Sequence, residues 1–489
     1  MSPERKSYAS KMLERRAFLK LAGVGGGAAF LAACGKAATP APTTLASTAV
    51  SGATVAPATA VEPVTLAYWT PGGSAVWCSS FDTIAANYHE INPNVSIGAA
   101  QCYAGEQSFN EVLLANIAAG TPPDATIIWT SPVAFAVRGA LEPLDAMMAG
   151  SKYSKLENWP TGVLASCQFR GATYGLPVTA GAYGFFYNQE LFESKGIPSG
   201  RADFPKTWEG LRQLSKEFTH WNGDTLETAG FFPWGDPANP SYAAVELAIW
   251  SATNGSQLFD AVNLKYTLNS EQNIEMMQYA LDWLEEEYKG DFVKITTSGN
   301  WSGVPDAQGR PPAFQEGRMA MLTNGNWFCG DMYGSAPTFK RWDAAQFPVG
   351  PSGSKTSSGY WPNWLVIPKG AAHVQEAFNY MDYISGEGIL VWFALVPDLP
   401  ANKAVPSDLV PTKVVEERGQ EFAEDIQAFF RGQLDVATAM WTSPVQDFGN
   451  DQIGRAIQQI LGKQATPEEA LTEAQKLCQT ELDTALASA

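Results

Sequence analysis

Histidine is nearly absent from this chain: His89, His220 and His373 are the only three in 489 residues, and none stands at metal-ligand spacing from another. No zinc site or catalytic histidine can be read from it, and no metal or cofactor is expected. Cysteine is scarce too. Six cysteines in a chain of this length make no disulfide framework, and after Cys34 an odd number remains: Cys78, Cys102, Cys167, Cys329 and Cys478. Cys78 follows the first predicted strand and Cys102 the second, so a bridge between them and a pair of buried free thiols both stay open. Long apolar runs are missing, and no segment beyond the N-terminus is apolar for long enough to cross a bilayer as a helix. Charged residues make up only 17%, with 50 acidic against 32 basic and a formal net charge of −18. That balance disfavours nucleic acid as a partner and repels anionic lipid.

The first 62 residues are an address and a tether rather than a fold. Arg15-Arg16-Ala17-Phe18-Leu19-Lys20 is a basic segment, Leu21 to Ala33 a weakly apolar one, and Leu31-Ala32-Ala33-Cys34 a small-residue cleavage site ending in cysteine. The pattern is that of a bacterial lipoprotein signal, and its paired arginines resemble a twin-arginine export signal. The expectation is export and lipid attachment at Cys34, on the outer face of the cytoplasmic membrane. Gly35 to Glu62 is almost all Ala, Thr, Pro, Ser, Val and Gly. Such a stretch has too little apolar surface to offset the entropy of folding and reads as a disordered tether. Cleavage before Cys34 removes six basic and two acidic residues and leaves a net charge of −22. The lipid, not the acidic body, must then hold the chain to a membrane.

What the body has in abundance is aromatic surface, with sixteen Trp and sixteen Tyr. Its pattern is strand and helix in alternation. Val64 to Trp69 reads as a strand, Ser80 to Glu90 as a helix, Val95 to Ala99 as a strand, Phe109 to Ile117 as a helix, and Ala125 to Trp129 as a strand. This order implies an α/β fold with a parallel sheet, whose ligand crevice lies beyond the carboxyl ends of the strands. Tyr68, Trp69, Trp129, Thr130 and Ser131 fall there. Later helices start at Thr207, at Asn269 and at the capping box Thr466-Pro467-Glu468-Glu469, while 290–313 reads as loop.

Motifs along the body resemble family 1 extracellular solute-binding proteins of ABC importers. They run in order: Val64-Thr65-Leu66-Ala67-Tyr68-Trp69-Thr70, Ile117-Ala118-Ala119-Gly120-Thr121-Pro122-Pro123-Asp124, Gly139-Ala140-Leu141-Glu142-Pro143-Leu144-Asp145, Tyr174-Gly175-Leu176-Pro177-Val178, and Phe186-Tyr187-Asn188-Gln189-Glu190-Leu191-Phe192. Pro205-Lys206-Thr207-Trp208-Glu209, Phe314-Gln315-Glu316-Gly317-Arg318-Met319-Ala320-Met321 with Asn326-Trp327, Leu365-Val366-Ile367-Pro368-Lys369-Gly370 and Pro400-Ala401-Asn402-Lys403 follow. The resemblance implies a periplasmic-binding-protein-like type II fold: two α/β lobes joined by a hinge, with the ligand cleft between them. It assigns 63–178 and 350–393 to lobe 1, 185–348 and 400–489 to lobe 2, and hinge crossings to 179–184, 349 and 394–399. It implies a monomeric receptor that closes on a carbohydrate, a di- or oligosaccharide, and delivers it to the transmembrane subunits of an ABC permease. Gly181 departs from maltose-binding relatives, which tend to carry an acidic residue there.

A sugar ring packs its C–H face on an indole and needs fixed donors and acceptors for its hydroxyls. The candidate ligand residues are Trp69, Glu106, Gln107, Trp129, Thr130, Ser131, Trp234, Asp236, Asn326, Trp327, Trp361 and Trp364, with Trp327 the leading stacking residue and one of Trp361 and Trp364 facing the cleft. Trp208 and Trp283 read as core. A same-fold binder of a glycerol-phosphate or polyamine is the alternative, although only Arg170 and Arg318 lie near candidate segments. A secreted glycoside hydrolase is a further one, needing two carboxylates about the bond with no motif to supply them. The chain is read as a non-enzyme.

Overall fold

The computed structural model describes residues 62–488, apart from 73–74, 104–105, 234–239, 304, 306–308, 336–337, 407 and 440–441. The export signal, Cys34, the tether up to Val61, Trp234 and Asp236 lie outside the described residues. Two five-stranded sheets organise the body. In chain order their strands are Tyr68–Pro71 (β1), Gln101–Tyr103 (β2), Ala125–Ile128 (β3), Leu176–Pro177 (β4), Gly181–Asn188 (β5), Met321–Gly325 (β6), Trp342–Ala345 (β7), Ser358–Trp361 (β8), Trp364–Val366 (β9) and Ala437–Ala439 (β10). The first sheet has the order β2-β1-β3-β9-β4, and the second β6-β5-β8-β10 with β7 also on β5.

The first sheet is parallel only where helices connect its strands. β1 runs parallel to β2 and β3, whereas β9 is antiparallel to both β3 and β4. The helix Ala75–Ile91 leads out of β1, and Glu106–Ala119 connects β2 to β3, as the crossovers between parallel strands require. The expected single strand Val64 to Trp69 is broken at Ala67. Asp124 causes the break: its Oδ2 accepts the Ala67 N–H at 2.9 Å, and its own N–H donates to the Ala67 carbonyl at 2.9 Å. Val64–Leu66 therefore pairs separately with Val95–Ile97.

In the second sheet β5 is buried along its whole length. Phe185 packs against Phe231 and Phe347, with ring centroids 4.8 and 4.9 Å away, and Phe186 on the opposite face packs against Phe328 at 5.0 Å. Each such ring removed from water contributes on the order of 1.5–3 kcal/mol. Trp208 and Trp283 are core residues, as their helical spacing implied.

Local chemistry explains where helices begin. Thr207 caps Trp208–Phe218 by accepting from Gly210 N at 3.1 Å, and Thr466 and Glu469 form the reciprocal capping box. The cap expected at Asn269 is one residue later, at Ser270, whose hydroxyl accepts from Asn273 N. The expected loop 290–313 contains a short helix, Phe292–Ser298, capped by Asp291. Cys78 and Cys102 form a disulfide that pins the Ala75–Ile91 helix to β2, and Cys167, Cys329 and Cys478 are buried free thiols.

The chain passes between the sheets three times. The first passage is 178–180, between β4 and β5. Residues 349–361 stay with the second sheet, so the passage expected at 349 falls instead at Pro362-Asn363, between β8 and β9. Gly359 allows this: a Cβ there would stand 2.8 Å from the Ile249 side chain, so only glycine lets β8 lie so close to the helix Pro240–Thr253. The third passage is 396–400, where Ala180 N donates to Leu399 O and Ala401 N to Val178 O.

Candidate ligand-binding site

Two indoles stand half-buried beside these passages. Trp129 immediately follows β3 and meets Trp77 edge-on at 5.7 Å; Trp77 in turn meets Trp392 at 5.1 Å. The Trp77 N–H is held by Thr70 Oγ1 and the Pro71 carbonyl, both at 3.1 Å, which fixes this aromatic row at the carboxyl end of β1. Trp327 follows β6 by two residues. Its ring lies flush on two glycines, since a Cβ on Gly181 would stand 2.5 Å from it and one on Gly325 only 2.1 Å. Tyr183 buttresses it edge-on at 5.4 Å. Neither Trp129 nor Trp327 uses its indole N–H on a protein partner among the described residues, so each offers a ring and a free donor.

Polar bonds join the two sheet-bearing halves near Trp129. The helix Gln446–Leu461 packs with the helices of the second sheet and presents Gln446 and Asp447 at its start. Asp447 Oδ1 accepts from Thr130 Oγ1 at 2.7 Å, and its Oδ2 from Asn110 Nδ2 at 3.2 Å. Gln446 Oε1 accepts from the Ser131 N–H at 3.1 Å. Burial raises the Asp447 carboxyl above the usual carboxylate range, while Thr130, Asn110 and the Arg138 charge pull it back. Arg138 also lines a crevice of about 660 Å³ between 136–139, 169–174 and the end of the helix Pro467–Ser488. Among the described residues no group of acidic, histidine or cysteine side chains is arranged to hold a metal ion.

The fold and this geometry agree with a family model described as bacterial extracellular solute-binding protein, which matches residues 83–423. The chain belongs to that family. This solute-binding protein is 23% identical over 433 residues to an arabinooligosaccharide-binding protein of Halalkalibacterium halodurans, covering 84% of this chain and 88% of that one. Among solved structures it is similar to one with mannotriose bound, at TM-score 0.68 and 22% identity, covering 84% of this chain and 99% of the other. A maltose-bound structure from T. maritima has TM-score 0.68 and 19% identity, with 86% and 100% covered. The architecture is thus periplasmic-binding-protein-like type II.

In the solute-binding protein several of the expected ligand residues make contacts within the chain itself. Trp364 is fully buried and donates to Ser166 Oγ at 2.9 Å, so it has no face to offer; Trp361 is 8% exposed. Asn326 is consumed by the backbone, its Oδ1 accepting from Ala182 N at 3.0 Å and its Nδ2 donating to the Pro397 carbonyl. Thr130 and Ser131 are buried in the bonds to Asp447, Gln446 and Ser166. Trp69 is 9% exposed and packs on Tyr103 at 5.1 Å. Glu106 and Gln107 open a helix, and their side chains, like Trp234 and Asp236, are outside the described set. Asn110 and Asp447, which bond across the two halves, and Asn363 and Asp398, which bond to one another between the second and third passages, were not among the expected residues. Asn363 and Asp398 were nonetheless marked by their settings, Trp361-Pro362-Asn363-Trp364 and Pro397-Asp398-Leu399-Pro400.

Proposed function

We propose that this chain is the receptor of an ABC importer, catching a di- or oligosaccharide between its two sheet-bearing halves and handing it to the permease. The observation that carries this is Trp327, whose indole is laid on Gly181 and Gly325 beside the chain passages with its N–H unspent. The sugars of its relatives support the reading: arabino-oligosaccharide, mannotriose and maltose. The lobes in this reading are 62–178 with 364–395, and 181–361 with 401–488. Binding closes them by favouring the conformation in which both contact the sugar.

The receptor acts as a monomer, without catalysis, held outside the cytoplasmic membrane by lipid on Cys34 after export by the twin-arginine route. Among the described residues no cluster of cations beside Trp129 or Trp327 favours a glycerol-phosphate reading. A melting-temperature screen against linear arabino-, manno- and malto-oligosaccharides tests the proposal, because a ligand specific to the folded state raises the melting temperature. No shift with any saccharide, or release of new reducing ends on incubation, would overturn it. For the anchor, Cys34→Ser should move the chain from the membrane fraction to the soluble fraction.

A further inference from the structure

Trp77 sits in the first turn of the helix Ala75–Ile91 and is 6% exposed. That turn carries no acidic side chain to oppose the positive end of the helix, and helices fray first at their ends. Here the turn is tied down twice. The Trp77 N–H donates to Thr70 Oγ1 and to the Pro71 carbonyl, both on β1. The next residue, Cys78, is bonded to Cys102 of β2, and Cys102 stands opposite Thr70 in the β1–β2 pairing. Strand pairing, disulfide, peptide bond and indole hydrogen bond thus close a ring through Thr70, Cys102, Cys78 and Trp77. The Trp77 indole packs on Phe81 and Trp392, each at 5.1 Å, and meets Trp129 edge-on at 5.7 Å. Phe81, Trp77 and Trp392 are buried, so Trp129 is the one of these four rings that reaches solvent.

We propose that the Cys78–Cys102 disulfide is a positioning element of the ligand site: by locking Trp77 in place it holds the Trp129 indole in the orientation on which a sugar ring stacks. This rests on the reading above that the chain takes a saccharide, with Trp129 as one of its platforms. The two cysteines need touch no ligand; they act through Trp77. A side chain that must be immobilised on binding opposes affinity, and a platform already fixed does not. An edge-on ring contact is weak by itself, so Trp129 is only as still as the ring beside it. That ring is only as still as its helix turn. Opening the bridge leaves the two hydrogen bonds of 3.1 Å to hold a turn prone to fraying. Trp129 should then sample more than one orientation, and saccharide affinity should fall about two- to tenfold. Trp327, in the other half, rests on Gly181, Gly325 and Tyr183 instead and should be unaffected.

The test starts without sugar. In the full chain carrying Cys34→Ser and labelled with fluorotryptophan, Trp129→Phe and Trp327→Phe assign the two fluorine resonances. With the bridge closed, both should be single and narrow. In Cys78→Ser with Cys102→Ser the Trp129 resonance should broaden or split while that of Trp327 stays as it was. A disulfide that only stabilises would lower the melting temperature and leave both resonances alone. If the double serine variant fails to fold, Trp77→Phe decides. It keeps the bridge and takes away the N–H that Thr70 and Pro71 hold, so Trp129 should change and Trp327 should not. An unmoved Trp129 resonance, or one that changes only together with that of Trp327, would overturn the proposal. So would an affinity for the best saccharide of the screen that loss of the bridge leaves unchanged. A screen without hits would sink the sugar reading alone, and the resonances would still show whether the bridge fixes Trp129.

Discussion

Asp447→Ala should loosen the junction between the halves without unfolding either. The carboxylate makes two bonds across it, to Thr130 at 2.7 Å and to Asn110 at 3.2 Å. A bond to a charged group contributes about 1.5–3 kcal/mol net, and the longer one belongs at or below the bottom of that range. Against this stands the desolvation that raises the carboxyl's pKa. Thr130 and Asn110 also keep each other at 2.8 Å once Asp447 is gone, so they are not left bare. The net loss is about 2 kcal/mol, roughly thirtyfold in the joined-to-parted ratio. If sugar affinity depends on closure, the dissociation constant weakens by up to the same factor. Calorimetric titration with the best saccharide of the screen, paired with the distance between spin labels at the exposed positions Ile91→Cys and Val262→Cys, measures both. Unchanged affinity with an unchanged distance would refute the role; a lower melting temperature with both unchanged would make Asp447 a stability residue only.

Trp327→Ala should weaken saccharide binding about tenfold or more while the chain still melts cooperatively, since the indole is half-buried and not at the centre of a core. Gly181→Ala touches no ligand, yet its Cβ would meet the Trp327 ring at 2.5 Å. The displaced indole should cost about 1–3 kcal/mol of stability and reduce affinity, read by denaturant melts and titration together. In denatured, unreduced protein a thiol reagent should find Cys167, Cys329 and Cys478 but not Cys78 or Cys102. In the native chain the same three should react slowly, because burial pushes their thiols up, Cys478 to about 12. Cys78→Ser with Cys102→Ser should lose about 3 kcal/mol in a denaturant melt, as expected for releasing a loop of this size.

The periodic parts of the fold were legible because they follow local rules. The helix Glu106–Ala119 and the caps at Thr207 and Thr466 need only neighbours a few residues away, and the strand Ala125–Ile128 is marked by its apolar run although its partners are distant. The break at Ala67 was not legible, since it is made by Asp124, far along the chain. The site divides in the same way. Trp327 and Trp129 stand out by residue type, but nothing near Trp364 in sequence says that Ser166 will take its N–H. Asn326 looks like a ligand contact beside a tryptophan until the third passage arrives to accept its amide. Asp447 and Asp398 are unremarkable among fifty acids, and only the folded chain shows what they face.

β9 gives the first sheet a particular birth order. Trp364–Val366 lies between β3 and β4 and pairs with both, yet it is made after nearly all of the second sheet. Until then β3 has an unpaired backbone edge along Thr126–Ile128, in a strand whose side chains are apolar or hydroxyl-bearing. The N-terminal half therefore cannot finish while it is being synthesised, and a chain cut before residue 364 would carry a sticky seam rather than a small stable domain. Splitting this protein into separately expressed lobes should yield aggregates, whereas a break in an exposed turn such as the one around Val262 leaves every strand of both sheets with its partner.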